Sequence, residues 1–237
     1  MTRLLQAELL KLRTTRTFAA LVGTAAALSL VLITVAASMG VDNDPRALFS
    51  GDFTSFFILL LGAIAMTGEW RHRTITSSVL AAPDRVRLLT AKAVSYSVAG
   101  VVLSLVVTAS IMLVGTLILS SRGEQTLDLT GLLDVLWRNL AVAALLGPLG
   151  VCVGAVLRNQ IVTVVGLIII AAALEPALLE NAPEVGRFGP LLGAPAGLLA
   201  GADAELLAPV AAAAVCIAWA SGAFAAAAAL LRGRDLA

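Results

Sequence analysis

Six apolar runs set the pattern of this chain: residues 18–39, 53–68, 93–121, 140–157, 161–174 and 206–231. No Asp, Glu, Lys, Arg or His falls inside any of them. A helix that crosses a bilayer needs about 20 apolar residues, with a range of about 17–25. A charge at the bilayer centre costs roughly 2.5–3.5 kcal/mol or more, so charge-free runs of this length suit hydrocarbon. The first, third, fourth and sixth runs are long enough as they stand. The second is slightly short and is extended by Trp70, a residue type that suits the interface. The fifth is too short alone: it needs residues 175–179 as an outer turn, or it is re-entrant. The pattern predicts an all-α polytopic membrane protein with six transmembrane helices, forming a single transmembrane domain over residues 1–237.

The segments between the runs add smaller elements. In residues 1–17, Met1, Leu5, Leu9 and Leu12 fall on one helical stripe, with Arg3, Gln6 and Lys11 away from it. That suits an interfacial helix ahead of the first span, or simply a basic leader into it; Glu8 and Lys11 are three apart and can pair. The apolar run that follows is too long for a signal-peptide core of about 7–15 residues, so it reads as a retained span. Residues 122–139 carry leucines and Trp137 and read as an outer connection with a short surface helix. Residues 175–205 are rich in Gly and Pro yet hold Leu191, Leu192, Leu198 and Leu199. A flexible loop has no use for those leucines, so short re-entrant or surface helices are expected before the sixth span, their ends buried by protein.

Composition and charge place the chain in its class and orient it. It is 59% hydrophobic and 13% charged, against about 25% charged in a soluble domain. With the N-terminus cytoplasmic, Arg3, Lys11, Arg13, Arg16, Arg71, Arg73, Arg85, Arg87, Lys92, Arg158, Arg232 and Arg234 lie inside. Arg46, Arg122, Arg138 and Arg187 lie outside, giving 12 against 4 of the 16 basic residues. A cytoplasmic excess of Lys and Arg is the expected bias. The expected location is therefore a bacterial plasma membrane, crossed several times, with both termini cytoplasmic. Nothing in the pattern suggests nucleic-acid binding. Cys152 and Cys216 lie inside predicted spans and read as small apolar filler.

The most structured polar piece is the segment 69–92 between the second and third spans. Pro83 should end a helix arriving from Thr74, and Asp84 is placed to cap the next one. Ile75, Val79 and Leu80 share a face, as a helix lying on a surface requires. A helix–Pro–helix element of this length on the basic side is shaped to dock a soluble partner.

Here the chain resembles the type-2 permeases of ATP-binding-cassette (ABC) transporters. The resemblance rests on Glu8-Leu9-Leu10-Lys11-Leu12-Arg13 before the first span and on Glu69-x-Arg71-x-x-Thr74-Ile75 after the second. It continues with Leu80-x-x-Pro83-x-Arg85, Lys92 and the tail 232–235, and the six-span layout covers the whole chain. It implies a cytoplasmic coupling helix over roughly 69–85 that sits in a cleft of an ATPase subunit. The implied contact residues are Glu69, Arg71, Arg73, Thr74, Ile75, Val79, Leu80, Pro83 and Arg85. Arg73 departs from the family, where glycine is frequent. The implied partners are an ABC ATPase subunit carrying ATP and Mg, a second permease subunit (a copy or a paralogue) and the lipid bilayer.

The chain has no G-x-x-x-x-G-K-[ST] phosphate cradle, so hydrolysis is expected from another chain and no cofactor is expected on this one. Gly150 and Gly154 form a G-x-x-x-G in the fourth span, where small residues let helices approach closely; Pro148 lies just before them. A secondary transporter or channel would want an ionisable group within the bilayer, and a membrane enzyme would want clustered acids, histidines or a nucleophile. A non-transporting anchor or sensor subunit is the third alternative. An exporter of an amphipathic or lipid-like substrate fits the apolar spans best.

Overall fold

The computed structural model describes residues 2–39, 45–50, 52–72, 84–200 and 206–233. All its regular elements among these residues are helical. In chain order they are α1 (Thr2–Thr14), α2 (Arg16–Met39), α3 (Pro45–Ser50), α4 (Thr54–Arg71), α5 (Arg85–Ser121) and α6 (Leu129–Leu157). Then follow α7 (Gln160–Asn181), α8 (Pro183–Gly186), α9 (Gly193–Ala200) and α10 (Pro209–Gly233). Six helices are long and apolar enough to cross a membrane: α2, α4 with the residues leading into it, α5, α6, α7 and α10. The chain is thus an all-α polytopic membrane protein.

Helices α4 and α6 form the centre. Over their most apolar stretch 53% and 56% of residues are buried, against 17% for α2 and α7. The two approach at glycine. A methyl group at Gly150 would overlap the carbonyl of Leu59, and one at Gly154 would sit 2.8 Å from the carbonyl of Ala63. Gly62 on α4 returns the contact against the carbonyl of Gly147, at 2.5 Å. The Gly150/Gly154 stripe therefore packs within this one chain. Pro148 lies inside α6 and cannot donate to the carbonyl four residues back. Ser97 of α5 fills that role, its Oγ donating to Ala144 O at 2.9 Å.

The structure sets the bounds of three elements. Helix α5 runs 37 residues, about 55 Å at 1.5 Å per residue, so the helix expected after Asp84 is continuous with the third apolar run. Asp84 caps it, accepting from the backbone N–H groups of Val86 and Arg87 at 3.0 and 3.2 Å. Second, the leucines of 129–136 do not form a separate surface helix; they are the first turns of α6 itself, capped by Asp128 through the N–H of Gly131. Third, the fifth span runs past Leu174 and takes in the outer turn that residues 175–179 were expected to supply. A π-helical stretch over Ile170–Leu174 carries the helix into Glu175–Asn181, despite Pro176. A π turn is the usual way a helix absorbs such an irregularity.

The two ends of the bundle are chemically distinct. One, the basic end, gathers α1, the close of α4, the start of α5, the α6–α7 turn and the close of α10. The opposite end holds α3, α8 and α9. There Leu191 and Leu198 are buried in a cluster with Leu59, Val142, Leu146, Leu149 and Ala212, so these leucines of the Gly/Pro-rich segment belong to the core.

Candidate functional site

The basic end is built around Lys92, whose side chain is only 2% exposed. Long α5 places it one and a half turns inside the bundle from Val86, beneath α1. Such a charge is tolerated in the interior only when it is paired and hydrogen-bonded. Lys92 Nζ donates to Glu8 Oε2 of α1 and to Glu69 Oε1 of α4, each at 2.7 Å. Lys11 Nζ, on the outer side, donates to Glu8 Oε1 at 2.8 Å and Glu69 Oε1 at 3.2 Å. Two carboxylates and two ammonium groups thus form a neutral quartet joining three helices that are far apart in sequence. Around it close Leu12, Met66, Leu89, Tyr96, Ala227 and Leu231.

The electrostatics follow from this geometry. For Glu8 the largest influence, burial, would raise its pKa, but Lys92 and Lys11 together outweigh it and hold the carboxyl below its ordinary 4.5. Burial likewise works against the charge on Lys11, and the hydrogen bonds and attraction from Glu8 and Glu69 overcome it, raising the ammonium above its ordinary 10.5. Both groups stay charged across the physiological range.

Further ties converge on the same end. Arg158, in a left-handed conformation (φ 56°) at the α6–α7 turn, stacks its guanidinium over the Trp70 ring at 4.3 Å. Arg71 donates to Gln160 Oε1 at 3.2 Å. Arg85 donates to the carbonyl of Leu231 near the close of α10, at 2.8 Å. Both flanks of the segment 73–83 are therefore fastened: Glu69, Trp70 and Arg71 on one side, Arg85 and Lys92 on the other. Between them they hold α1, α6, α7 and α10.

Of the residues singled out in the sequence, Glu69 is buried in the quartet, Arg71 is exposed beside Gln160, and Arg85 is half-buried against α10. Arg73, Thr74, Ile75, Val79, Leu80 and Pro83 lie outside the described residues. Gly150 and Gly154 are in the α4–α6 contact and pack against Leu59, Ala63 and Met66 of α4. What the sequence reading did not assemble is the quartet. Its members stood in view as separate letters, and Lys11 and Lys92 are the only two lysines in the chain, but nothing local ties residue 92 to residue 8.

The opposite end handles its buried acids differently. Glu175, 2% exposed, accepts from the backbone N–H groups of Leu191 (3.0 Å), Leu192 (2.5 Å) and Gly193 (3.1 Å). It caps the entry to α9. Asp52, just ahead of the second apolar run, accepts from Thr108 Oγ1 at 2.7 Å and from the N–H of Thr54 at 3.2 Å. Asn139 of α6 joins it, donating to Phe49 O at 3.2 Å. Two carboxylates at the margins of the charge-free runs are thus held by hydrogen-bond donors.

This is a bundle of membrane-crossing helices whose basic end is a braced platform on either side of one polar segment. Its charged groups at that end tie helices to one another. The chain belongs to the ABC-2 family of transporter proteins: the family model described as ABC-2 family transporter protein matches residues 4–173, from α1 to the π-helical stretch of α7. No curated protein matches the sequence. The chain is accordingly a multi-pass membrane protein of the permease-subunit class of an ABC transporter, not itself an enzyme, and the family implies an ABC ATPase as partner.

Proposed function

We propose that this chain is the membrane subunit of an ABC exporter, with its basic end in the cytoplasm and the segment 69–85 as the element that receives the ATPase. The observation that carries this is the bracing of both flanks of that segment. A push delivered at 73–83 enters α4 through Glu69 and Trp70 and α5 through Arg85 and Lys92. The quartet passes it to α1, Arg158 and Gln160 pass it to the α6–α7 turn, and Arg85 passes it to α10. Packed helices move as stiff bodies in such transitions, so a displacement of the platform becomes a tilt of the spans.

ATP and Mg belong to the ATPase, and this chain binds no cofactor of its own. Two copies of the chain, or the chain and a paralogue, enclose the route; the weakly buried faces of α2 and α7 are the surfaces left for a second subunit or lipid. The cargo is amphipathic or lipid-like, the membrane is a bacterial plasma membrane, and nucleic acid plays no part. The 12-to-4 distribution of basic residues supports cytoplasmic termini.

The test is a coupled assay of the complete transporter in vesicles. Val79→Pro should break the receiving element. Expected is a complex that still inserts and hydrolyses ATP while transport per ATP falls at least about tenfold, the effect of about 1.4 kcal/mol on the coupled step. Full coupled transport by the variant would remove the role of this segment.

A further inference from the structure

Helices α1, α2, α4 and α5 do not close on one another at the basic end. They leave a cavity of about 990 Å³. The cavity is open on one side, and its volume lies within the range of about 300 to 1,000 Å³ typical of ligand sites. Much of the wall is apolar, with Phe18, Leu61, Ile64, Ala65 and Leu88 prominent.

The charged groups in the wall divide into two sets. Glu8, Glu69 and Lys92 contribute side chains that are 5%, 10% and 2% exposed, and these are bound to one another. These carboxylates are buried beneath the surface of the cavity, with their side chains at most 10% exposed, so an incoming cation does not reach them. Lys11, with 54% of its side chain exposed, and the exposed Arg71 and His72 also line the cavity. Lys11 holds Glu8 and Glu69 and Arg71 holds Gln160, yet both present charge to solvent. What an incoming molecule meets is an apolar chamber with a cationic mouth.

We infer that this cavity binds an anionic amphiphile, its apolar body among α1, α4 and α5 and its phosphate or carboxylate headgroup at Lys11, Arg71 and His72. A zwitterion gains nothing from its ammonium here, because no accessible carboxylate faces it. Calling this molecule the cargo rests on the exporter reading above; the binding itself does not.

The purified full-length chain, without any ATPase, is placed in mixed micelles holding phosphatidylglycerol and phosphatidylcholine of matched acyl chains. Native mass spectrometry then counts what each protein retains. Phosphatidylglycerol should be retained about tenfold over phosphatidylcholine, as expected for cationic side chains worth about 1 kcal/mol each near a headgroup. Ala65→Trp fills the chamber and should abolish retention of both lipids. Arg71→Ala, an exposed change that leaves the quartet intact, should cut the preference about fivefold, the effect of about 1 kcal/mol for one cation. Dodecyl phosphate should displace phosphatidylglycerol one for one; if it alone binds, the site takes the single-chain acid and not the membrane lipid.

Equal retention of the two lipids by the unaltered chain overturns the inference, and so does a preference that survives both substitutions. A chamber filled by a second copy would show no retained amphiphile and a dimer lost in Ala65→Trp, which also overturns it. Because no ATPase enters the assay, a negative result leaves the exporter reading standing, and failure to find an ATPase leaves the binding result standing.

Discussion

The two ends of this bundle bury carboxylates of similar chemistry by opposite means. At the basic end, Glu8 and Glu69 are neutralised by Lys92 and Lys11, and the partners come from three separate helices. At the other end, Glu175 has no ion pair among the described residues; three consecutive backbone N–H groups at the entry to one short helix hold it. A backbone cap fixes one local shape, since its donors cannot leave without unwinding the chain. Side-chain ion pairs between helices can lengthen or exchange while each helix stays intact. The difference separates a joint from an anchor.

The strongest way to break this comparison is to remove the central cation. Lys92→Ala leaves two buried carboxylates with only the half-exposed Lys11. Removing one member of a buried pair costs about 3–5 kcal/mol, which should appear as a large drop in unfolding midpoint in detergent. The matching change at the other end, Glu175→Ala, strands donors at the start of α9. It should cost about 1–3 kcal/mol, with proteolysis or hydrogen exchange reporting loosening confined to 191–200. If the two substitutions cost the same and loosen the same region, the distinction between the ends collapses.

The smallest effect sharpens the comparison through pH. The Glu8 pKa lies below its unfolded value, so its contribution is complete above about 4.5 and is lost as pH falls through the lower, folded pKa. The Lys11 pKa lies above its unfolded value, so its contribution is complete below about 10.5 and is lost as pH rises through the higher, folded pKa. Docking of α1, followed by a fluorophore on exposed Leu10→Cys, should therefore be flat from about pH 5 to 10. It should weaken on both sides of that window. A transition near neutrality would mean that some other group holds α1.

Six spans were legible because hydrocarbon excludes charge so strongly that their absence from a run is itself a signal. The same rule concealed one true end: Asp128 and Asp134 made the first turns of α6 look like a separate surface helix, although a charge at a helix end in the interface carries no such penalty. The start of α5 was legible from Pro83 and the capping Asp84, and the end of α7 from the extra turn its short run requires. The joint was illegible for a different reason: residues 8, 69 and 92 meet only once α1, α4 and α5 have packed. The i,i+3 spacing exposed Glu8 with Lys11 and nothing beyond it. Leu191 and Leu198 were readable as misfits in a loop, since a leucine there has no use unless something buries it.

The central claim is that the basic end receives the ATPase, and proximity tests it most directly. His72→Cys, exposed at the flank of the receiving segment, and Val210→Cys, 85% exposed near the start of α10 at the opposite end, are each introduced into the native transporter with Cys152 and Cys216 replaced by alanine. A short thiol-reactive photo-crosslinker is then applied with and without ATP. The account predicts a nucleotide-binding subunit attached at position 72, in a yield that changes with ATP, and none attached at position 210. Attachment at 210 with none at 72 would contradict it.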